Sequence, residues 1–280
     1  MNANTTVKLQ EKCNKAEKII MLTCYDYCTA KNMDAAGVDV LLVGDSLGQV
    51  MLGYESPVQV TMEDMIHHCK AVARGAEKAM VLCDMPFLSV QTNTDDAIRN
   101  AGRLIQEGDA EAVKIEGSLY VADKIAAIVR AQIPVCAHIG LTPQSVLAFG
   151  GFKTQGKTLQ RAREIIDDAL RVEDAGAFMV VLEAIPAELA EIISDKLTIP
   201  TIGIGAGNKC DGQVLVWQDM LNMFPDYRPK FVKLFADCGS EMQNGVKKYR
   251  EEVEKGIFPA PEHSYQLPKE IVEQLKAQLA

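Results

Sequence analysis

One cadence governs this chain. A Gly or Pro ends a helix-like segment, a short apolar run follows, and the run closes on a polar residue or Gly. It recurs as KIIMLTCYD (18–26), AGVDVLLVGD (36–45), EKAMVLCD (77–84), AEAVKIEG (110–117), IPVCAHIG (133–140), AGAFMVVLE (175–183) and IPTIGIGAG (199–207). Apolar runs with so little alternation are strands covered on both faces, which is the signature of a parallel sheet.

Helix-period segments separate these runs. Thr61 and Asp64 make a capping box ahead of Met62, Met65, Ile66, Cys69 and Val72 on one face, and Gly75 ends the segment. Ile98, Ala101, Leu104 and Ile105 precede Gly108, while Ser118 is expected to cap a helix carrying Val121, Ile125 and Val129. Ile165, Ile166, Ala169 and Leu170 run to Gly176, and Pro186 opens a helix with Leu189, Ile192 and Ile193. Seven such alternations without a break in composition predict one (β/α)₈ TIM barrel over residues 1–280. A doubly wound open sheet is the competing architecture. The eighth strand is expected in VLVWQDM (214–220), after a very short helix, because only NKCDGQ (208–213) separates it from the seventh.

Two connections exceed what a barrel needs. Residues 46–60 read as a hairpin insert, and residues 141–158 as a Gly-rich loop over the barrel mouth; loops of this length are more often lids than linkers. A tail at about 266–280 carries an amphipathic helix suited to surface packing or a subunit contact.

Charge and cysteine usage narrow the function. With 29 basic against 38 acidic residues the net charge is −9, a surface that repels nucleic-acid backbones and anionic membranes. No apolar stretch reaches membrane-span length and the N-terminus lacks a signal core, so the cytoplasm is the expected compartment. The eight cysteines show neither a disulfide framework nor zinc spacing, and Cys24, Cys83 and Cys136 sit in apolar runs as buried thiols.

In a barrel the site lies at the C-terminal ends of the strands. Those ends carry Asp45, Asp84, Glu116, His138 and Glu183. Lys114 stands two residues before Glu116, so alternation points both toward the barrel axis. Any one acidic strand end can be a helix cap, but carboxylates crowded on one rim need a cation or protons to neutralise them. All-oxygen ligands without a Cys/His cluster suit Mg²⁺, with Asp45 and Asp84 as the best direct ligands and Glu116 binding directly or through water. Lys114 offers a positive charge to a substrate carboxylate or enolate oxygen. Glu183, across the mouth, is placed to remove an α-proton from a carbonyl compound. Its competing role is to cap the helix after Pro186. His138 is either a hydrogen-bonding partner of substrate or carboxylate or a histidine held for packing, and His67 and His68 are expected on a helix as surface or packing residues. GIGAGN (203–208) fails as a dinucleotide fingerprint, because Asn208 replaces the third Gly; close backbone approach is the better reading.

These residues resemble one family. LTCYDY (22–27), LLVGDSLG (41–48), MLGYES (51–56), CDMPF (83–87), VKIEG (113–117), AHIGLTPQS (137–145), GGFKTQG (150–156), VLEAIP (181–186), IGIGAG (202–207) and FPAPEHSY (258–265) are similar, in order, to the ketopantoate hydroxymethyltransferase family. Ala137 and Gln49 depart from its common Gly and Met. The resemblance implies a barrel of the phosphoenolpyruvate/pyruvate type. It also implies hydroxymethyl transfer from 5,10-methylenetetrahydrofolate to 3-methyl-2-oxobutanoate, giving 2-dehydropantoate for pantothenate synthesis. It implies Mg²⁺ at Asp45, Asp84 and Glu116, keto-acid contacts from Asp45, Ser46, Asp84 and Lys114, and Glu183 as proton acceptor. It further implies a homodecamer of pentamer rings.

Three other readings compete. A carbon–carbon lyase of the isocitrate-lyase type would resemble Lys-Lys-Cys-Gly-His in its catalytic loop, and that string is absent. A Schiff-base aldolase would use Lys114 as nucleophile. A non-catalytic scaffold would not need every candidate ligand together with Glu183.

Overall fold

The computed structural model describes residues 4–223 and 228–280. Eight parallel strands close into a barrel in chain order, which excludes the open sheet. They are β1 (Ile19–Thr23), β2 (Val40–Val43), β3 (Met80–Asp84), β4 (Ala112–Glu116), β5 (Val135–Gly140), β6 (Met179–Glu183), β7 (Thr201–Ile204) and β8 (Gly212–Leu215). Helices Tyr27–Ala35, Met62–Gly75, Thr94–Gln106, Ala122–Arg130, Leu159–Asp174 and Ala187–Lys196 cover the outside.

Strand alternation sorts the apolar residues into two cores. Met21, Leu42, Leu82, Ala112, Cys136, Met179, Val181 and Ile202 fill the barrel, while their sequence neighbours Leu41, Val81, Val113, Ala137 and Val180 pack against the helices. The same alternation carries Lys114 and Glu116 inward behind Ala112, and His138 inward behind Cys136. Residues at the inward, C-terminal strand ends therefore share one mouth.

The opposite mouth is closed by a helix that the polar N-terminus conceals. Thr5 caps Thr6–Asn14, and the fully buried Leu9 plugs the barrel interior. Lys12 ties the helix down through Asp39 at 2.6 Å, and Gln10 through the Thr198 carbonyl at 2.9 Å. A single buried leucine gives no period to read, so this element is invisible to pattern.

Three expectations need correction. The Thr61–Asp64 capping box forms, but Ser118 does not cap its helix; that helix starts at Ala122, and the Ser118 hydroxyl donates to the Asp168 carbonyl instead. Residues 46–60 make no hairpin. They form a turn of helix at Leu47–Val50 and a 3₁₀ turn at Pro57–Gln59, where Pro57 has no N–H to give a strand ladder. The eighth strand lies earlier than expected, and no helix precedes it: residues 205–211 link β7 directly to β8. The chain leaves the sheet after Leu215 because the Trp217 N–H donates to the Thr23 hydroxyl, and Trp217–Met220 turn helical.

The tail helix Lys269–Leu279 has no buried residue. Among the described residues, no helix is long and apolar enough to cross a membrane. All eight cysteines are free, with Cys24, Cys83 and Cys136 buried as expected.

Candidate active site

The C-terminal mouth holds a cavity of about 230 Å³ lined by Asp45, Ser46, Asp84, Lys114, Glu116, His138 and Glu183. Every residue singled out for chemistry in the sequence is thus in one place. His67 and His68 stand apart on the helix Met62–Gly75, His68 bonding the Tyr25 carbonyl at 2.7 Å.

The cluster is built outward from Lys114. Its ammonium sits 2.8 Å from Asp84 Oδ1, 4.0 Å from Glu116 Oε1 and 3.3 Å from His138 Nδ1. Asp84 Oδ2 accepts the Asp45 backbone N–H at 3.0 Å, which locks the end of β3 to the segment after β2. Ser46 is held by the fully buried Tyr25, their hydroxyls 2.8 Å apart. His138 bridges the mouth: Nδ1 lies 3.3 Å from Glu116 Oε1, and Nε2 lies 3.1 Å from Glu183 Oε2. That second approach is close in distance but off the line of a hydrogen bond.

Glu183 does not cap the following helix, whose N-terminus at Pro186 has no side-chain bond. Its backbone is fixed instead. The Glu183 carbonyl accepts from Leu141 N at 2.9 Å, and Gly140 (φ +94°) stands so close that a Cβ there would lie 2.4 Å from that oxygen. The next residue, Ala184, is left-handed at φ +48°, a strained position that orients the strand end.

Pattern reading missed Gln144. Buried after β5, it donates its backbone N–H to Glu116 Oε2 at 2.9 Å and its side-chain amide to Asp45 Oδ2 at 2.8 Å and to the Met85 carbonyl at 2.9 Å. One residue thereby sets the orientation of two carboxylates. The only signal was its place just beyond the strand end, in LTPQS.

Charge is unevenly balanced. Burial, and then the Asp84 and Glu116 carboxylates, push Asp45 well above the usual carboxylate range. Burial also raises Asp84, with Lys114 opposing. Burial works to discharge Lys114, yet Asp84, Glu116 and Asp45 outweigh it and hold the ammonium above the ordinary lysine range. Burial and Lys114 likewise oppose charge on His138, but Glu116 and Glu183 lift it to about 9. Glu116 is held low against burial by His138 and Lys114. Four carboxylates thus face two cationic groups, and burial with the neighbouring carboxylates favours a proton on Asp45 where no metal ion takes its place.

Asp219, on the helical turn after β8, also lines the cavity and was not singled out in the sequence. Burial lifts its carboxyl from 3.8 to about 6. A carboxyl raised on folding stabilises the protein below its unfolded pKa, and that contribution is lost as pH rises through the folded value. Asp219→Asn is therefore expected to be more stable than wild type at pH 8, by about 1 kcal/mol after allowing for solvent screening, or roughly 2 °C in Tm. The difference should vanish near pH 4. Thermal melts at both pH values check it, and a lower Tm for the variant at pH 8 contradicts it.

Among the described residues, no three His, Cys, Asp or Glu side chains are arranged to hold a metal ion. Both oxygens of Glu116 are engaged by the protein. In the Asp45–Asp84 pair, Asp45 Oδ2 accepts from Gln144 and Asp84 Oδ2 from the Asp45 N–H, which leaves Asp45 Oδ1 and Asp84 Oδ1 as donors for a cation, the latter beside the Lys114 ammonium but without an aligned hydrogen bond. Two carboxylates completed by water and substrate oxygens fit Mg²⁺.

Comparison with known proteins identifies the family. The model of the ketopantoate hydroxymethyltransferase family matches residues 3–261. The 3-methyl-2-oxobutanoate hydroxymethyltransferase of Enterococcus faecalis is 58% identical over 97% of this chain and 99% of its own, and that of Clostridium novyi is 56% identical over the same shares. Among solved structures, a phosphonopyruvate hydrolase in complex with oxalate and Mg²⁺ overlays with a TM-score of 0.62 at 12% identity, covering 99% of this chain and 96% of that one. A 2,3-dimethylmalate lyase of the PEP mutase/isocitrate lyase superfamily does so with a TM-score of 0.57 at 16% identity, covering both chains fully. The two solved structures share the barrel fold. Identity above one half along nearly the whole of each relative, joined to the family match, makes this chain an enzyme of the ketopantoate hydroxymethyltransferase family.

Proposed function

We propose that the enzyme transfers a hydroxymethyl group from 5,10-methylenetetrahydrofolate to 3-methyl-2-oxobutanoate, giving 2-dehydropantoate and tetrahydrofolate. The observation that carries this reading is the buried group of Asp45, Asp84, Lys114 and Glu116, with Glu183 facing it across His138 in one cavity. Asp45 and Asp84 would hold a divalent cation, with Glu116 and Gln144 behind them. The crowding of carboxylates around buried Asp45 supports that assignment. When bound, Mg²⁺ supplies a Lewis acid that favours an enolate over its ketone.

This chain's own residues do the rest. Lys114 and Ser46 orient the keto acid, the ammonium lying where a substrate carboxylate or a developing enolate oxygen gains a charge-assisted bond. Glu183 takes the proton from the branched carbon, and His138 beside it balances the changing charge. That carbon then bonds to the one-carbon unit, the carbon–nitrogen bonds to folate break, and water provides the hydroxyl oxygen.

The Schiff-base alternative requires a neutral amine. Lys114 is held charged by three carboxylates, which makes it a poor nucleophile. The family resemblance brings decameric assembly with this reading, and light scattering after size exclusion tests it.

A transfer assay with 3-methyl-2-oxobutanoate and methylenetetrahydrofolate, with and without chelator, tests the proposal. Turnover that needs both substrates and stops on chelation is expected. Absence of product with metal and both substrates present would remove the assignment.

A further inference from the structure

The cavity has two unlike halves. Toward β2–β6 stand the carboxylates, Lys114 and His138. Toward β7 and β8 the wall is apolar, with Ile204, Leu215, Val216 and Phe231, and among the described residues Asp219 is the one charged side chain lining that half. The keto-acid chemistry described above uses none of these residues.

Asp219 is an unusual feature of such a wall. Among the described residues its half-buried carboxylate meets no hydrogen-bond donor and no cation, and burial is the sole influence on its ionisation. A carboxylate left unpaired beside a cavity is costly to the fold unless a ligand satisfies it. Phe231 is placed with equal care. It seats against Gly205 at the end of β7, where a Cβ would lie 2.7 Å from the ring, and Gly205 takes φ +63°. Part of the ring remains exposed, at 38% for the residue. The glycine of GIGAG thus has its reason: it lets an aromatic ring close on the strand end.

An apolar wall, an aromatic face and one acceptor-only group describe a site for a flat heterocycle whose edge carries adjacent N–H donors. Resting on the reading that a reduced folate is the one-carbon donor, we propose that this half is the pterin subsite. The Asp219 carboxylate accepts from the pterin N3–H and 2-amino group, a two-point pairing of the kind that aligns planar partners. Phe231 covers the ring. A donor seated there lies in the same cavity as the keto acid, as direct transfer between two bound substrates requires.

Calorimetric binding of tetrahydrofolate to the full-length enzyme, with Mg²⁺ and 3-methyl-2-oxobutanoate present, tests this. Asp219→Asn is expected to weaken binding about tenfold to a hundredfold, since it replaces a charged acceptor with an amide. A ligand-side variant, 2-desamino-2-methyltetrahydrofolate, lacks one of the paired donors. It should bind wild type weakly and lose little more in Asp219→Asn, the coupling expected of direct partners. Equal affinity of wild type and Asp219→Asn for tetrahydrofolate overturns the assignment, and so does an analogue that wild type binds as tightly as tetrahydrofolate. Should Asp219→Asn fail to fold, the analogue comparison on wild type decides alone. Wild-type protein that binds no tetrahydrofolate strikes the functional reading itself, a result distinct from an intact folate site that ignores Asp219.

Discussion

Glu183→Gln is expected to slow hydrogen exchange at the branched carbon of 3-methyl-2-oxobutanoate by about 10²–10⁴-fold, the usual contribution of a positioned general base. The substitution keeps the size and shape of the side chain and removes only its capacity to accept a proton. It leaves the Asp45–Asp84 pair untouched, because Glu183 enters from β6 and meets the cluster only through His138. Keto-acid affinity should therefore change far less than exchange. Proton NMR in D₂O reads the exchange directly, without folate and without the transfer step. Unaltered exchange in the variant would take the proton-acceptor role away from Glu183.

Lys114→Met should have the largest effect on stability. The ammonium is almost wholly buried, at 4% exposure, between Asp84 and Glu116. Its removal leaves carboxylates facing one another in a low dielectric, and breaking a buried pair in this way costs about 3–5 kcal/mol. For a chain of this size that is a fall in Tm on the order of 10 °C in the metal-free protein. Excess Mg²⁺ should recover part of the loss, since a ligand that binds only the folded state stabilises it by mass action. Thermal melts with and without Mg²⁺ make the comparison. An unchanged Tm would mean that the carboxylates share protons and need no cation.

Much of this site is legible in the sequence because barrel geometry is periodic. Once VKIEG is a strand, alternation alone puts Lys114 and Glu116 on one side, and the strand ends supply Asp45, Asp84, His138 and Glu183. What escapes pattern is contact between elements with no period to advertise it. Gln144 reaches Asp45 across 99 residues of chain, and only the closed barrel makes them neighbours. Leu9 plugs the N-terminal mouth as the one buried residue of a largely polar helix. The end of β8 depends on the Thr23 hydroxyl capturing one N–H, a tertiary event that overrides the apolar run VLVW. Asp219 was hidden for the same reason, since a strand continuing through it would not have delivered its carboxylate to the cavity on a helical turn.

In the proposed mechanism a divalent ion on Asp45 and Asp84 renders the keto acid acidic enough for Glu183 to deprotonate it. Folate-free exchange of 3-methyl-2-oxobutanoate in D₂O, run on wild-type protein stripped with EDTA and then resupplied with Mg²⁺, tests it most directly. Exchange should vanish on stripping and return with the metal. Exchange that persists at full rate in the stripped protein would contradict the claim.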